Sequence, residues 1–269
     1  MLGSLELEED QPMRKIVIAQ VSDIHVMTPH FSKELEVNVV EEVNSLSPDL
    51  LVVTGDLTDD GLYYQYEEAL SLLEKFDVKR KLVVPGNHDS RNAGHMVFEE
   101  LFGTRYPLQT VGSVRVAGVD STEPDLDDGH VGRLAYGIVR RSLEGFKGVR
   151  AVALHHHLVP VPGTGRERNI PSDAGDFLKL LSDLKVHIVL CGHKHVPWLW
   201  RLNGMVILNA GTATTLRLKA RIPPSFNVIT FNEKIRVERV NSRTLEKQVI
   251  YEAPITYSVG QPGTPLDDP

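Results

Sequence analysis

Cysteine is almost missing from this chain of 269 residues: Cys191 stands alone, so no intrachain disulfide can form and no cysteine-rich zinc site can be built. That scarcity fits a reducing compartment, and the cytoplasm is the expected setting. Long apolar runs are absent as well, none approaching the roughly 18 residues of a membrane span. The stretch Met1 to Pro12 is acidic, with no basic region leading into a hydrophobic one, so no signal peptide is read there. Positive charge is in deficit: the formal net charge of −7 leaves no basic face to neutralise the phosphates of a duplex, and no stable nucleic-acid partner is expected. No internal repeat and no low-complexity segment is found.

What is there is the composition of an ordinary globular protein, 41% hydrophobic, with strand-like and helix-like patterns in alternation. Residues 1–14 read as an acidic flexible tail, 15–255 as one domain and 256–269 as a second flexible tail. Ile16–Val21, Leu50–Thr54, Leu82–Pro85, Val114–Val119, Arg150–Leu154 and Val186–Leu190 are short runs rich in β-branched residues, as strands buried on both faces are. Between them Leu35, Val39, Val43 and Leu46 share one helical face. So do Leu62, Tyr66, Ala69, Leu70 and Leu73, and later Phe177, Leu180, Leu181 and Leu184, with Ser172 as the expected N-cap of the last helix. Such alternation predicts an α/β fold with a mostly parallel sheet. After His195 the pattern turns to hairpins, around Asn203-Gly204 and around Asn232-Glu233-Lys234, so the last third is expected to be antiparallel.

The chemistry-bearing residues follow the strands. Ser22-Asp23-Ile24-His25, Gly55-Asp56, Gly86-Asn87-His88-Asp89, His155-His156-His157 and Gly192-His193-Lys194-His195 each stand directly after an apolar run. Any one of them can be a turn carboxylate, a turn amide or a solvated histidine. In an α/β sheet the carboxyl ends of parallel strands face one crevice, so together they converge on a site. Imidazoles and carboxylates brought together suit Mn, Fe or Zn.

In this order, Asp-x-His, Gly-Asp, Gly-Asn-His-Asp, a histidine cluster and Gly-His-x-His resemble the calcineurin-like metallophosphoesterases, over roughly Lys15 to Ala253, in particular their small cyclic-nucleotide and glycerophosphodiester phosphodiesterases. The resemblance implies a four-layer α/β/β/α sandwich of two mixed sheets and a dinuclear centre of two transition-metal ions, Mn, Fe or Zn. It implies Asp23, His25 and His195 on one ion, Asn87, a triplet histidine and His193 on the other, and Asp56 bridging both. A hydroxide between the ions would then attack phosphorus in line, with His88 stabilising charge or protonating the leaving group. The implied activity is a phosphodiesterase; a pyrophosphatase of nucleotide-linked lipids and a non-catalytic scaffold module are the alternatives, and a nuclease is disfavoured by the acidic balance.

One departure concerns the triplet, where relatives often carry His-His-Pro and His157 stands in place of the proline. Alignment on Leu154 makes His155 the ligand, whereas pairing His156 with His157 would make it His156, pointing to the opposite side of a strand. Arg133, Arg166 and Arg168 are candidates for holding a substrate phosphate. Asp89 is expected to orient a histidine, Cys191 to be a small core residue, and His187 to pack within its strand. A small phosphate ester is the expected partner, without a membrane span, and association as a homodimer is left open.

Overall fold

The computed structural model describes residues 14–165, 167–219 and 221–255. The expected tails fall outside the described residues apart from Arg14, whose guanidinium lies 2.7 Å from the carboxylate of Asp49; Arg166 is outside them too. In chain order the first elements are β1 (Ile16–Val21), α1 (Lys33–Leu46), β2 (Leu50–Thr54), α2 (Tyr63–Glu74) and β3 (Lys81–Val84). The Ser32 hydroxyl caps α1 by accepting from Leu35 N, and Ser47 ends it in a left-handed conformation. These helices are crossovers that return the chain to the same edge, so β1, β2 and β3 pair in parallel.

Then come α3 (Gly94–Phe102), β4 (Leu108–Val111), β5 (Val114–Val119), α4 (Gly132–Leu143), β6 (Val149–Leu154), α5 (Ala174–Asp183) and β7 (Ile188–Cys191). The remaining strands are β8 (Trp198–Leu202), β9 (Met205–Asn209), β10 (Ser225–Phe231), β11 (Lys234–Asn241) and β12 (Lys247–Pro254). They form two sheets, in the orders β12-β11-β10-β1-β2-β3 and β4-β5-β6-β7-β9-β8.

Alternation along β1 shows how the layers are built. Ile16 and Ile18 point between the sheets, onto a core with Leu50, Val52, Leu82, Val116 and Leu190. Ala19 and Val21 point outward, under Val39 and Val43 of α1 and Tyr66 of α2. The second sheet is covered on its outer face by Ala135, Val139 and Leu143 of α4 and by Phe177, Leu180 and Leu181 of α5. Helices, sheet, sheet and helices make the four-layer α/β/β/α sandwich. At about 1.5–3 kcal/mol for each fully buried Val or Leu, the layer shared between the sheets binds both halves of the chain into one unit.

Several sequence expectations are corrected. The last third is not uniformly antiparallel: β10, β11 and β12 extend the first sheet antiparallel to β1, but β9 joins the second sheet parallel to β7, so the Asn203-Gly204 hairpin only adds β8 at its edge. Asp173, not Ser172, stands at the N-cap of α5, and its carboxylate instead accepts from Val131 N and Gly132 N at the start of α4. His187 lies just ahead of β7, where its Nδ1 accepts from Arg150 N. Cys191 is a buried core residue, as expected, with burial pushing its thiol up to about 12. No helix among the described residues is long and apolar enough to cross a membrane.

Candidate metal centre

Because β1, β2 and β3 run parallel in one sheet and β5, β6 and β7 in the other, their carboxyl ends open on one edge of the sandwich. Asp23 and His25 follow β1, Asp56 follows β2, and Asn87 and His88 follow β3; His155 follows β6, and His193 and His195 follow β7. The spacing of the motifs has a backbone cause. Asp23, His25, Asp56, His193 and His195 all have φ between 46° and 73°, the left-handed region that non-glycine residues seldom occupy. Alternating left-handed residues turn both members of Asp-x-His, and both of His-x-His, toward the same point. Strain of this kind persists only where the surroundings hold it, and it gathers at functional sites.

Two glycines let the loops close in. A methyl on Gly86 would come within 2.1 Å of Asp56 Oδ1, and one on Gly192 within 2.0 Å of Ser22 Oγ and 2.8 Å of Asp23 Oδ2. Only a residue without Cβ leaves room for those carboxylates.

The ligand atoms fall into two groups that share one oxygen. On one side His25 Nε2 and His195 Nε2 are 3.1 Å apart, His195 Nε2 is 3.3 Å from Asp23 Oδ1, and His25 Nε2 is 3.4 Å from Asp56 Oδ2. On the other, Asn87 Oδ1 lies 3.0 Å from His155 Nε2 and 2.9 Å from His193 Nδ1, those two nitrogens are 3.2 Å apart, and His155 Nε2 is 3.4 Å from Asp56 Oδ2. Such separations match the edges that a coordination polyhedron with bonds of about 2.0–2.2 Å would have, the range in which zinc-type ions hold nitrogen and oxygen.

Hydrogen bonds behind the ligands set which atoms face inward. His155 Nδ1 donates to Thr54 O at 2.8 Å and His195 Nδ1 to Arg217 O at 3.1 Å, which turns each Nε2 to the cluster. The Asn87 amide nitrogen donates to Asp127 Oδ1 at 3.0 Å, so its carbonyl oxygen faces His155 and His193. Acceptors and lone pairs thus converge with few protons to share among them: Asp23, His25, Asp56 and His195 could hold a metal ion, as could His25, Asp59 and His88, and Asn87, His155 and His193 are gathered beside them.

Charge reinforces this. Burial opposes ionisation of Asp56, yet His155, then His88 and His25, hold it well below the ordinary carboxylate range. Burial likewise opposes charge on His155, but the Asp56 carboxylate raises it to about 9, so positive charge is favoured between those two residues. His195 keeps Asp23 low against its own burial, and burial, followed by the charge of Asp56, pushes Asp89 up to about 6.

His155 and His156 are separated clearly. The His156 ring is engaged by Ser121 Oγ at 2.9 Å and Asp127 O at 3.3 Å, and burial, then the charge of His155, pushes it down to about 3. His157 is bonded to Glu167 Oε1 at 2.9 Å and stacks on His193. His88 sits beside the first group: its ring meets that of His25 edge-on at 4.7 Å, its backbone N donates to Asp56 Oδ1, and its Nδ1 is 2.6 Å from Asp59 O. No hydrogen bond among the described residues uses His88 Nε2.

Asp89 does not orient a histidine. Its carboxylate accepts from Leu57 N, Thr58 N, the Thr58 hydroxyl and Gly86 N, and so pins the loop after β2 to the loop after β3. Arg133 is exposed on the first turn of α4, and Arg168 is exposed with its carbonyl accepting from Lys194 Nζ; neither has a described contact with the ligand cluster. Several neighbours were missed in the sequence: Asp59 between His25 and His88, Asp127 behind Asn87, Glu167 beside His157, and Arg217 behind His195. Only Asp59 had a local signal, three residues beyond Asp56; the others lie in loops whose contacts are fixed by the tertiary fold.

The calcineurin-like phosphoesterase model matches residues 16–197, which span the whole ligand set. A probable cyclic nucleotide phosphodiesterase of Vesicomyosocius okutanii is 23% identical over 228 residues, 79% of this chain and 92% of that protein. A probable glycerophosphodiester phosphodiesterase of Arcobacter nitrofigilis is 26% identical over 249 residues, 81% of this chain and 90% of that one. The fold is similar to that of purple acid phosphatase PPD1 from yellow lupin seeds, with a TM-score of 0.74 at 16% identity, over 95% of this chain and 58% of that longer one. With the motif order, the sandwich and a family match over more than half its length in agreement, the chain belongs to the calcineurin-like phosphoesterases.

Proposed function

We propose that the protein is a phosphodiesterase with a dinuclear metal centre. As a calcineurin-like phosphoesterase it is a metal-dependent hydrolase of phosphoric esters. The observation that carries the finer reading is Asp56 Oδ2, which lies 3.4 Å from a histidine nitrogen of each ligand group. One ion would be held by Asp23, His25 and His195 and the other by Asn87, His155 and His193, with Asp56 common to both. When bound, the ions supply Lewis-acid charge to the phosphoryl oxygens and acidify water.

The chain's own residues do the rest. Thr54 O and Arg217 O hold the tautomers of His155 and His195, and Asp127 fixes the Asn87 amide. His88, whose backbone N donates to Asp56 Oδ1 and whose Nδ1 accepts from the Arg91 guanidinium at 2.9 Å, is placed to hold a proton at Nε2 for the leaving oxygen of an ester bound at the site. Diesters are favoured because both named relatives are probable phosphodiesterases and cover most of this chain.

The test is turnover of bis(4-nitrophenyl) phosphate and 4-nitrophenyl phosphate by protein stripped with chelator and then reloaded with Mn, Fe or Zn. The expected result is activity that returns with metal and a higher kcat/KM for the diester. Activity that survives stripping, or turnover confined to the monoester, would overturn the reading.

A further inference from the structure

His193 is held differently from its neighbours in the candidate centre. The outer nitrogens of His155 and His195 each donate to a backbone carbonyl, Thr54 O and Arg217 O, and so fix those rings. The Nδ1 of His193 faces Asn87 and His155, and no hydrogen bond among the described residues reaches its Nε2. What lies against it is another imidazole: the His157 ring is parallel to that of His193, with 12° between their planes and 5.6 Å between their centroids. His157 is fully buried, and its one side-chain hydrogen bond among the described residues runs from Nε2 to Glu167 Oε1 at 2.9 Å. Its Nδ1 is buried without a partner there. Glu167 therefore sets the orientation of the His157 ring, and with it the surface that His193 rests on.

The same carboxylate oxygen reaches the ligand loop from a second direction. Lys194, buried and standing between His193 and His195 in the chain, places Nζ 3.4 Å from Glu167 Oε1 and donates to Arg168 O at 2.8 Å. Glu167 is its one ion pair among the described residues. The backbone on either side of Lys194 is left-handed, with φ 73° at His193 and 57° at His195, a strained turn that persists only where its surroundings hold it. One side chain from the loop between β6 and α5 thus joins the ring beside His193 to the residue that follows His193. Glu167 has no described contact with the candidate ligands themselves. His155 and His195 have their own restraints in Thr54 O and Arg217 O, so of these three histidines His193 is the one that depends on Glu167.

We propose that Glu167 is a positioning residue of the metal centre: through His157 and Lys194 it holds the His193 ring toward the ion assigned to Asn87, His155 and His193. This deepens the reading of the centre as dinuclear and rests on it. The role belongs to this chain's own histidine triplet, since His157 stands where relatives often carry proline, a residue with no ring nitrogen for Glu167 to hold. Loss of the carboxylate would leave a buried imidazole and a buried ammonium without their partner, and the His193 ring without a fixed backing.

Equilibrium dialysis of the full chain against buffered free Zn, read by elemental analysis, tests it without turnover. E167A is expected to raise the dissociation constant of one ion about 10- to 100-fold, the usual effect of removing a partner behind a ligand, and to leave the other within about threefold. E167Q keeps an oxygen to accept from His157 Nε2 and is expected to recover most of that loss. E167D draws the oxygen back by one methylene, is expected to weaken the same ion by a smaller factor, and is read in place of E167A should that variant not fold. In an H155A background, where the affected ion is already lost, E167A is expected to change the remaining constant by at most about threefold. E36A is the control, because it removes the pairs of Glu36 with Lys33 and Lys75 and is expected to lower the urea midpoint with both constants unchanged. Unchanged Zn constants in E167A and E167D, equal rises for both ions, or a rise of the same size in E36A would overturn the proposal. One ion per chain in the wild type at every Zn concentration would instead overturn the dinuclear reading. The constant of that one ion in E167A would then decide for or against Glu167.

Discussion

His155 and His156 are neighbours in sequence, and their surroundings assign them opposite tasks. His155 aims Nε2 at Asn87, His193 and Asp56, whereas both ring nitrogens of His156 are engaged by Ser121 and Asp127. His155→Ala is therefore expected to lose one metal equivalent and nearly all activity. His156→Ala should keep its metal while losing stability, by roughly 1–3 kcal/mol for the buried partners it leaves unpaired. Elemental analysis decides it, and metal loss confined to His156→Ala would reverse the assignment. His88 belongs to the same scale. His88→Ala should retain its metal and its substrate affinity but lower kcat by roughly 10²–10³. The loss should be smaller for a nitrophenyl ester than for an alkyl ester, because a good leaving group needs little protonation. An equal loss on both esters would move the role of His88 to charge on phosphorus, and a lost metal equivalent would make it a ligand or a support for one.

Among the elements, what matters most is how loops are held at the strand ends. Asp89 ties the loop after β2 to the loop after β3 through four donors, and these loops carry Asp56 and Asn87. Asp89→Ala would leave buried N–H groups without acceptors, an expected loss of about 3 kcal/mol, measured by urea unfolding in chelator so that metal binding does not contribute. A loss below about 0.5 kcal/mol would show that the two loops stay together without it.

The same scale shows what could be read from sequence and what could not. Residues in strands buried on both faces announce themselves as β-branched runs, and α1, α2 and α5 by their apolar spacing, so these were legible. The edge strand β4, largely exposed over Leu108–Val111, had no such pattern. Nor did α4, whose buried positions are only Ala135, Val139 and Leu143 in a stretch interrupted by Gly137. In the site, the gathering of the candidate ligands was legible because each sits at a strand end, but Asp127, Glu167 and Arg217 act from loops brought near only by folding. Asp89 was assigned the wrong partner because a carboxylate after Asn-His serves a backbone turn as readily as a histidine.

At the scale of the whole molecule, the two sheets are joined by one core, and the candidate ligands come from both: Asp23, His25, Asp56 and Asn87 from the first, His155, His193 and His195 from the second. The centre is thus complete only when the sheets are packed face to face. The central claim is that two ions share Asp56, and the stoichiometry of bound metal tests it most directly. Elemental analysis of protein loaded with Mn, Fe or Zn and freed of excess ion should give about two ions per chain for the wild type and about one or fewer for Asp56→Asn, since an amide cannot neutralise either cation. One ion per chain in the wild type, or two retained in Asp56→Asn, would contradict it.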